Sequence, residues 1–409
     1  MARWMLAALA PRRCPSFESA LLVSALWLSA CGSDSSPSHT VVKPAPDSGT
    51  KTHDAGNDVR DGAAAHDAAT LDAETEDAGS DAGSSDTLDK VGVFSDPIAQ
   101  IPNAGVVPYD VVVTLYADQA EKLRFLTLPT GTQATYDPLE QWTYPDGTKF
   151  IKTFFYSHDQ RNPSLGRTLL ETRIVEREAG TWTGRTYVWN AAQTQATRVK
   201  VGASIPVSWI DPSGKSETLD YRVPNEIECK TCHAKDHVFQ PLGPRTRELN
   251  RDASDVVVGD AGKENQIDHL VALGLLGGTV PAVADRLTLS FIDGPDALDR
   301  RARSYLDANC SHCHRPGGEA GSTALDLRFE TTSMSSIGIC RTPVAAGPGS
   351  GNLQYDIVPG SPDASVMVFR ISSTDPELKM PQLPTQTADA QGVALIRAWI
   401  AAMPAQTCN

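Results

Sequence analysis

Cys229-Lys230-Thr231-Cys232-His233 and, 81 positions later, Cys310-Ser311-His312-Cys313-His314 give this chain two copies of Cys-x-x-Cys-His. Thiols at that spacing can each form a thioether with one vinyl group of a haem, while the adjacent imidazole reaches the iron from the same side. A thioredoxin-like pair or half of a zinc site uses the same Cys-x-x-Cys spacing. The zinc reading has to join motifs much farther apart in the chain than the usual zinc-ribbon interval, and it leaves both histidines unexplained. Two copies therefore predict two covalently bound haem c groups. Cys229, Cys232, Cys310 and Cys313 are the attachment residues, with His233 and His314 as proximal iron ligands.

Around the second motif the pattern is helical. A helix beginning near Pro295 places Leu298, Ala302, Tyr305 and Leu306 on one face just before Cys310. A last helix, from about 388 to 403, carries Val393, Ile396, Trp399, Ile400 and Met403 on a stripe that Pro404 ends. Two helices framing such a motif, followed by a methionine, resemble the arrangement of class I cytochromes c, and residues 295–409 are assigned to that fold. Met380, in the stiff loop between Pro376 and Pro384, is the expected sixth ligand. Met367 and Met403 read as core. Pro316 is expected to offer its carbonyl to the free ring nitrogen of His314.

The first motif lies in residues 223–294, where apolar periodicity marks a helix over Ile267–Leu276 that Gly277-Gly278 should stop. No methionine separates the two motifs. His269, His237 and His158 are the candidates for a sixth ligand, His269 being favoured among them, and an open or water-bound iron is the alternative.

Upstream, short β-branched and aromatic runs (Val111–Tyr116, Phe150–Tyr156, Leu169–Val175, Tyr187–Trp189) are punctuated by turn formers, which predicts a β-sandwich over residues 93–222. Trp142, Trp182, Trp189 and Trp209 read as its core. Arg173 with Glu171, and Asp110, are either buried polar pairs or a ligand site. The expected fold class is thus α+β and multidomain, an N-terminal β-sandwich followed by mainly α-helical, cytochrome c-like haem domains.

Residues 1–30 combine Arg3, Arg12 and Arg13 with an apolar run from Ala20 to Leu28, too short to span a bilayer, and read as a secretory signal. Leu28-Ser29-Ala30-Cys31 resembles a bacterial lipoprotein cleavage box. This implies lipidation of Cys31 and, with Gly32 next to it, sorting to the outer membrane. Residues 31–92 are Asp, Ala, Gly, Ser and Thr with few large apolar side chains, the composition of a disordered acidic tether. That stretch carries a net charge of −9 of the chain's −14. The remaining acidity of the folded part excludes nucleic acid as a partner. Cys340 and Cys408 are left over in an oxidising compartment and are expected to form a disulfide.

Across most of residues 93–409 the chain resembles exported dihaem c-type cytochromes. The resemblance is carried by Lys152-Thr153-Phe154, Glu171-Thr172-Arg173, Tyr187-Val188-Trp189-Asn190, Pro224 to Cys229 and Leu242 to Asn250. It implies haem binding by His233, His314 and Met380, and electron transfer with periplasmic redox partner proteins. It names no substrate. The competing expectations are a dihaem oxidoreductase of the peroxidase or oxidase kind with an open first haem, and a substrate-binding β-domain with a haem output.

Overall fold

Strand formation starts from β-branched and aromatic side chains in four long runs, each with adjacent buried residues and so with both faces covered over part of its length. In the computed structural model, residues 86–252, 264–344 and 346–409 are described. Six strands pair in chain order as one antiparallel meander: β1 (Val106–Pro108), β2 (Glu121–Thr127), β3 (Lys149–Ser157), β4 (Arg167–Glu178), β5 (Thr181–Trp189) and β6 (Ala196–Val199). Ala179 and Gly180, with φ of 47° and 78°, form the two-residue turn between β4 and β5, whose left-handed conformation matches the twist of the flanking strands. A separate hairpin follows, β7 (Ala203–Ile210) with β8 (Ser216–Val223).

The faces of β3 sort the core. Ile151 and Phe155 point to a cluster with Leu88, Phe94, Phe125 and Trp189. Phe150 points the other way, to Trp142, Tyr144 and Ile267, and Phe154 and Tyr156 pack on Trp209 and Tyr221 of the hairpin. The tryptophans are core as expected: Trp142, Trp189 and Trp209 are buried, and Trp182 packs against Phe150 with centroids 5.7 Å apart.

The expected sandwich followed by mainly α-helical haem domains does not form. One six-stranded sheet is covered on its second face by a two-stranded hairpin and by loops and short helices, so no second full sheet exists among the described residues. The described residues from 86 onward belong to one compact unit. Beyond residue 295 the helices α4 (Leu298–Asn309), α5 (Met334–Ile337), α6 (Val366–Ser372) and α7 (Ala390–Ala402) have 12, 4, 7 and 13 residues, and loops and 3-10 turns make up the rest. The glycine- and proline-rich sequence between the two framing helices sustains only the short helices α5 and α6. The framing helices are where the apolar stripes put them: Ala302 and Leu306 meet Ile396 and Ile400 in one core, with Met367 and Met403 packed on it.

Three further differences have local causes. Val111–Tyr116 is not a strand, because its amides are taken by other partners: Val112 N–H donates to the Glu248 carbonyl and Tyr116 N–H to Asn309. The helix expected at Ile267–Leu276 is α3 (Gln266–Ala272), and it stops at Gly274, whose φ is +70°. The short helices α1 (Glu226–His233) and α2 (Thr246–Leu249) precede it. Finally, residues 86–91 of the expected tether belong to the fold, since Leu88 is buried and Asp86 accepts from Tyr187. The signal, Cys31 and residues up to 85 lie outside the described residues. Among the described residues no helix is long and apolar enough to cross a membrane.

Cys340 and Cys408 are disulfide-bonded across a sequence separation of 68. The bridge returns the C-terminal tail to the loop after the second motif, where Tyr355 also donates to the Cys408 carbonyl at 3.1 Å. Closing a loop of that length contributes about 4 kcal/mol by chain entropy. Cys408→Ser is expected to cost about 2–4 kcal/mol in a urea titration under oxidising conditions. An unchanged midpoint would show that the bridge is not formed.

Candidate functional site

Each motif is held by its own short-range structure. Asn225 caps α1 by accepting from the Ile227 and Glu228 amides, and Glu228 reaches back to the Asn225 N–H, so the helix presents Cys229, Cys232 and His233 on its last turn. Spacings of three and four residues put these side chains on one face. The chain then reverses through Asp236 and His237, with φ of 51° and 64°, bringing Gln240 back to His233. The Gln240 carbonyl lies 3.0 Å from His233 Nδ1, and Phe239 stacks on the ring with centroids 5.2 Å apart. A carbonyl only accepts, so Nδ1 carries the proton and Nε2 keeps its lone pair. Burial, with Lys152 nearby, pushes the His233 pKa down to about 3.

The second motif begins where α4 ends. Cys313 and His314 N–H both donate to the Cys310 carbonyl, closing one helical turn. His314 Nδ1 is 3.3 Å from Thr323 Oγ1, which spends its own proton on the Ala320 carbonyl and therefore accepts from the ring. Thr323 thus takes the place expected for Pro316. Burial lowers the His314 pKa to about 4, so this imidazole too is neutral and fit to ligate. Burial also pushes the Cys310 thiol up to about 12.

The fold brings the two motifs together. Asp236 N–H donates to the Gly317 carbonyl at 2.8 Å. Gly317 has φ +75°, and a Cβ there would meet Asp236 Oδ1 at 2.4 Å, so only glycine suits this junction. Cys232 Sγ, Cys313 Sγ and a ring nitrogen of His312 lie within 4.8 Å of one another. A hydrogen bond shared with Cys313 lowers the Cys232 thiol, and His312 adds to it, while the same bond raises Cys313. The distance in sequence that disfavoured a shared metal is closed in space.

Beside the motifs is a cavity lined by both His233 and His312, by the sheet, and by the loop Pro241–Arg245. The sheet contributes three cations in register. Arg124 is the cross-strand partner of Lys152, and Lys152 of Arg173, so β2, β3 and β4 each place one cation in a row. Like charges directly opposite one another destabilise a sheet. Asp110 neutralises Arg124 at 3.0 Å, and Glu171 takes Arg173 at 2.5 Å while accepting from Tyr221 at 2.7 Å. Lys152 has no ion pair among the described residues, and burial together with Arg124 and Arg173 brings its pKa down to about 7. Asp110 also pairs with Arg251, so Asp110 and Glu171 are each in buried or half-buried polar pairs, and it is their partners Arg124 and Arg173 that line the cavity.

The remaining expected ligands are placed as follows. Met380 sits in a loop pinned by its N–H to the Arg370 carbonyl at 3.0 Å, with Arg370 Nε donating to the Leu378 carbonyl. His269, on α3, is paired with Glu264 at 3.0 Å and does not join the motif cluster. His158 Nδ1 faces the Leu165 carbonyl. Sequence reasoning passed over His312 because it is an interior position of the second motif. It also passed over the Arg124–Lys152–Arg173 row, which only strand register reveals.

The donor set suits covalent haem. Both motifs are complete, both imidazoles are neutral with Nδ1 occupied, and Lys152, without an ion pair among the described residues, faces the cavity where a carboxylate would hold it in its charged form. The cavity measures about 120 Å³ as the side chains stand. Its polar lining of Arg124, Lys152 and Arg173 matches the charge of a carboxylate. The chain matches no protein-family model, no curated protein and no solved structure.

Proposed function

We propose that this chain is a dihaem c-type cytochrome of the bacterial cell envelope, anchored through a lipid on Cys31, sorted to the outer membrane and passing electrons between periplasmic partner proteins. The observation that carries this is the meeting of two complete Cys-x-x-Cys-His motifs, each with its terminal imidazole held through Nδ1. Bound haem would supply a one-electron iron couple. The chain's own residues do the rest: Cys229, Cys232, Cys310 and Cys313 attach, and His233 and His314 ligate. Gln240 and Thr323 fix the ring tautomers, and Met380 is the proposed sixth ligand to the iron that His314 would hold. A thioether there favours the reduced iron and a higher potential. The row of Arg124, Lys152 and Arg173 would hold propionates, which makes the sheet a wall of the haem site rather than a separate binding module.

The deciding experiment is a pyridine haemochrome assay with intact mass spectrometry on chain matured in cells that assemble c-type cytochromes. Two haems per chain are expected. A colourless product with four unmodified motif thiols would overturn the reading. A second reading is favoured by one observation, the Cys232–His312–Cys313 cluster, which offers three donors to a single soft metal such as zinc. It leaves Cys229, Cys310, His233 and His314 without a role, and a colourless chain holding one zinc would support it. A substrate-activating oxidoreductase needs an open iron, and a high-spin signal that binds cyanide would mark it.

Lys152→Met should lower the potential of one haem, since a nearby cation favours the less positive reduced iron. At an effective dielectric of 20 the change is on the order of 1–2 kcal/mol, roughly 40–90 mV for one electron. A redox titration in which both potentials are unmoved would remove Lys152 from the site.

A further inference from the structure

We infer that His312 supplies the second axial imidazole to the iron held by the first motif, an inference that rests on the dihaem reading above. The first motif needs a partner for His233, and the candidates visible in sequence are engaged elsewhere. His269 is paired with Glu264, His158 faces the Leu165 carbonyl, and His237 sits in the tight turn four residues after His233 at φ 64°. His312 and His233 line the same cavity. His312 also lies within 4.8 Å of Cys232 Sγ, so a side chain of the second motif is already at the attachment point of the first.

The placement follows from the helical turn that closes at Cys310. Cys310, Cys313 and His314, spaced by three and four residues, share one side and serve their own motif. His312 lies between them in the turn, and its ring nitrogen is within 4.8 Å of both Cys313 Sγ and Cys232 Sγ, so it stands where the two motifs meet. The Asp236 N–H bond to the Gly317 carbonyl ties the chain just after the first motif to the chain just after the second. One pentapeptide thereby attaches one haem and ligates the other, which makes the first iron six-coordinate and turns the function toward electron transfer rather than substrate activation.

The test uses the full-length, matured holoprotein. The parent chain should show only low-spin haem, one of the two giving the electron paramagnetic resonance signature of bis-imidazole ligation. His312→Ala should keep two haems by the haemochrome assay while half of the haem becomes high-spin, binds cyanide, and returns to low-spin on adding imidazole. His269→Ala should leave the spectrum unchanged. Two haems that stay fully low-spin in His312→Ala would overturn the assignment and leave the dihaem reading intact. If His312→Ala does not mature, the parent spectrum decides, and absence of a bis-imidazole signal overturns the proposal. Absence of haem from the parent would instead sink the functional reading beneath it.

Discussion

Chain carrying Cys310→Ala and Cys313→Ala, matured in cells that assemble c-type cytochromes, is expected to hold one haem where the parent holds two, and Cys229→Ala with Cys232→Ala should do the same. Alanine suits the test because Cys310 packs against the C-terminal apolar core, where a serine would bury an unpaired hydroxyl. Losing both thioethers removes the covalent attachment, so the halving should appear in the haemochrome absorbance and as a missing haem mass. The pattern separates the two readings of the site. Independent haems make the losses additive, two to one for either pair and none for all four. A metal shared by Cys232, His312 and Cys313 makes them all-or-none, because either pair removes an essential ligand. An undiminished haem content in both pairs would end the attachment assignment.

Asp307→Ala is expected to destabilise the fold by about 3–5 kcal/mol, the usual cost of stripping the partner from buried charge. The Asp307 side chain is fully buried and joins segments distant in sequence. It accepts from Arg245 at 2.9 Å, lies 3.5 Å from Arg247 Nε, and accepts the Phe329 N–H at 2.9 Å. Arg247 is 1 % exposed and pairs also with Glu330, and Arg245 with Glu248 at 2.6 Å. Removing the one carboxylate that serves both guanidiniums leaves them short of a counter-charge where water cannot compensate. Asp307 sits on α4 three residues before Cys310, so the loss should also loosen the second motif. Urea unfolding measures it, with Asp363→Ala as control. That surface residue pairs with Arg397 at 2.7 Å and is 83 % exposed, and its loss should cost less than about 1 kcal/mol. A deficit below about 1 kcal/mol for Asp307→Ala would show that the network is not formed as described.

Much of the local chemistry was legible without coordinates. The helices Leu298–Asn309 and Ala390–Ala402 stand where their apolar stripes lie, Met367 and Met403 are core, and Cys340 pairs with Cys408 by elimination among the cysteines. The misreadings came from competition that a local pattern does not carry. Val111–Tyr116 has strand composition, yet its amides are claimed by Glu248 and Asn309 from far along the chain. The helical character of residues beyond 295 was extrapolated from the two framing helices across a glycine- and proline-rich stretch that forms mostly loops.

Sequence alone determined which groups are available: two Cys-x-x-Cys-His motifs and the two cysteines left over to pair. Tertiary structure alone decided that the motifs meet, that His312 faces the first of them, and that Arg124, Lys152 and Arg173 line up across three strands. The physical reason is that spacing of a few residues is set by backbone geometry within one turn. Which distant segments touch is set by strand register and by the burial of one face against another, and no short window of sequence contains both partners.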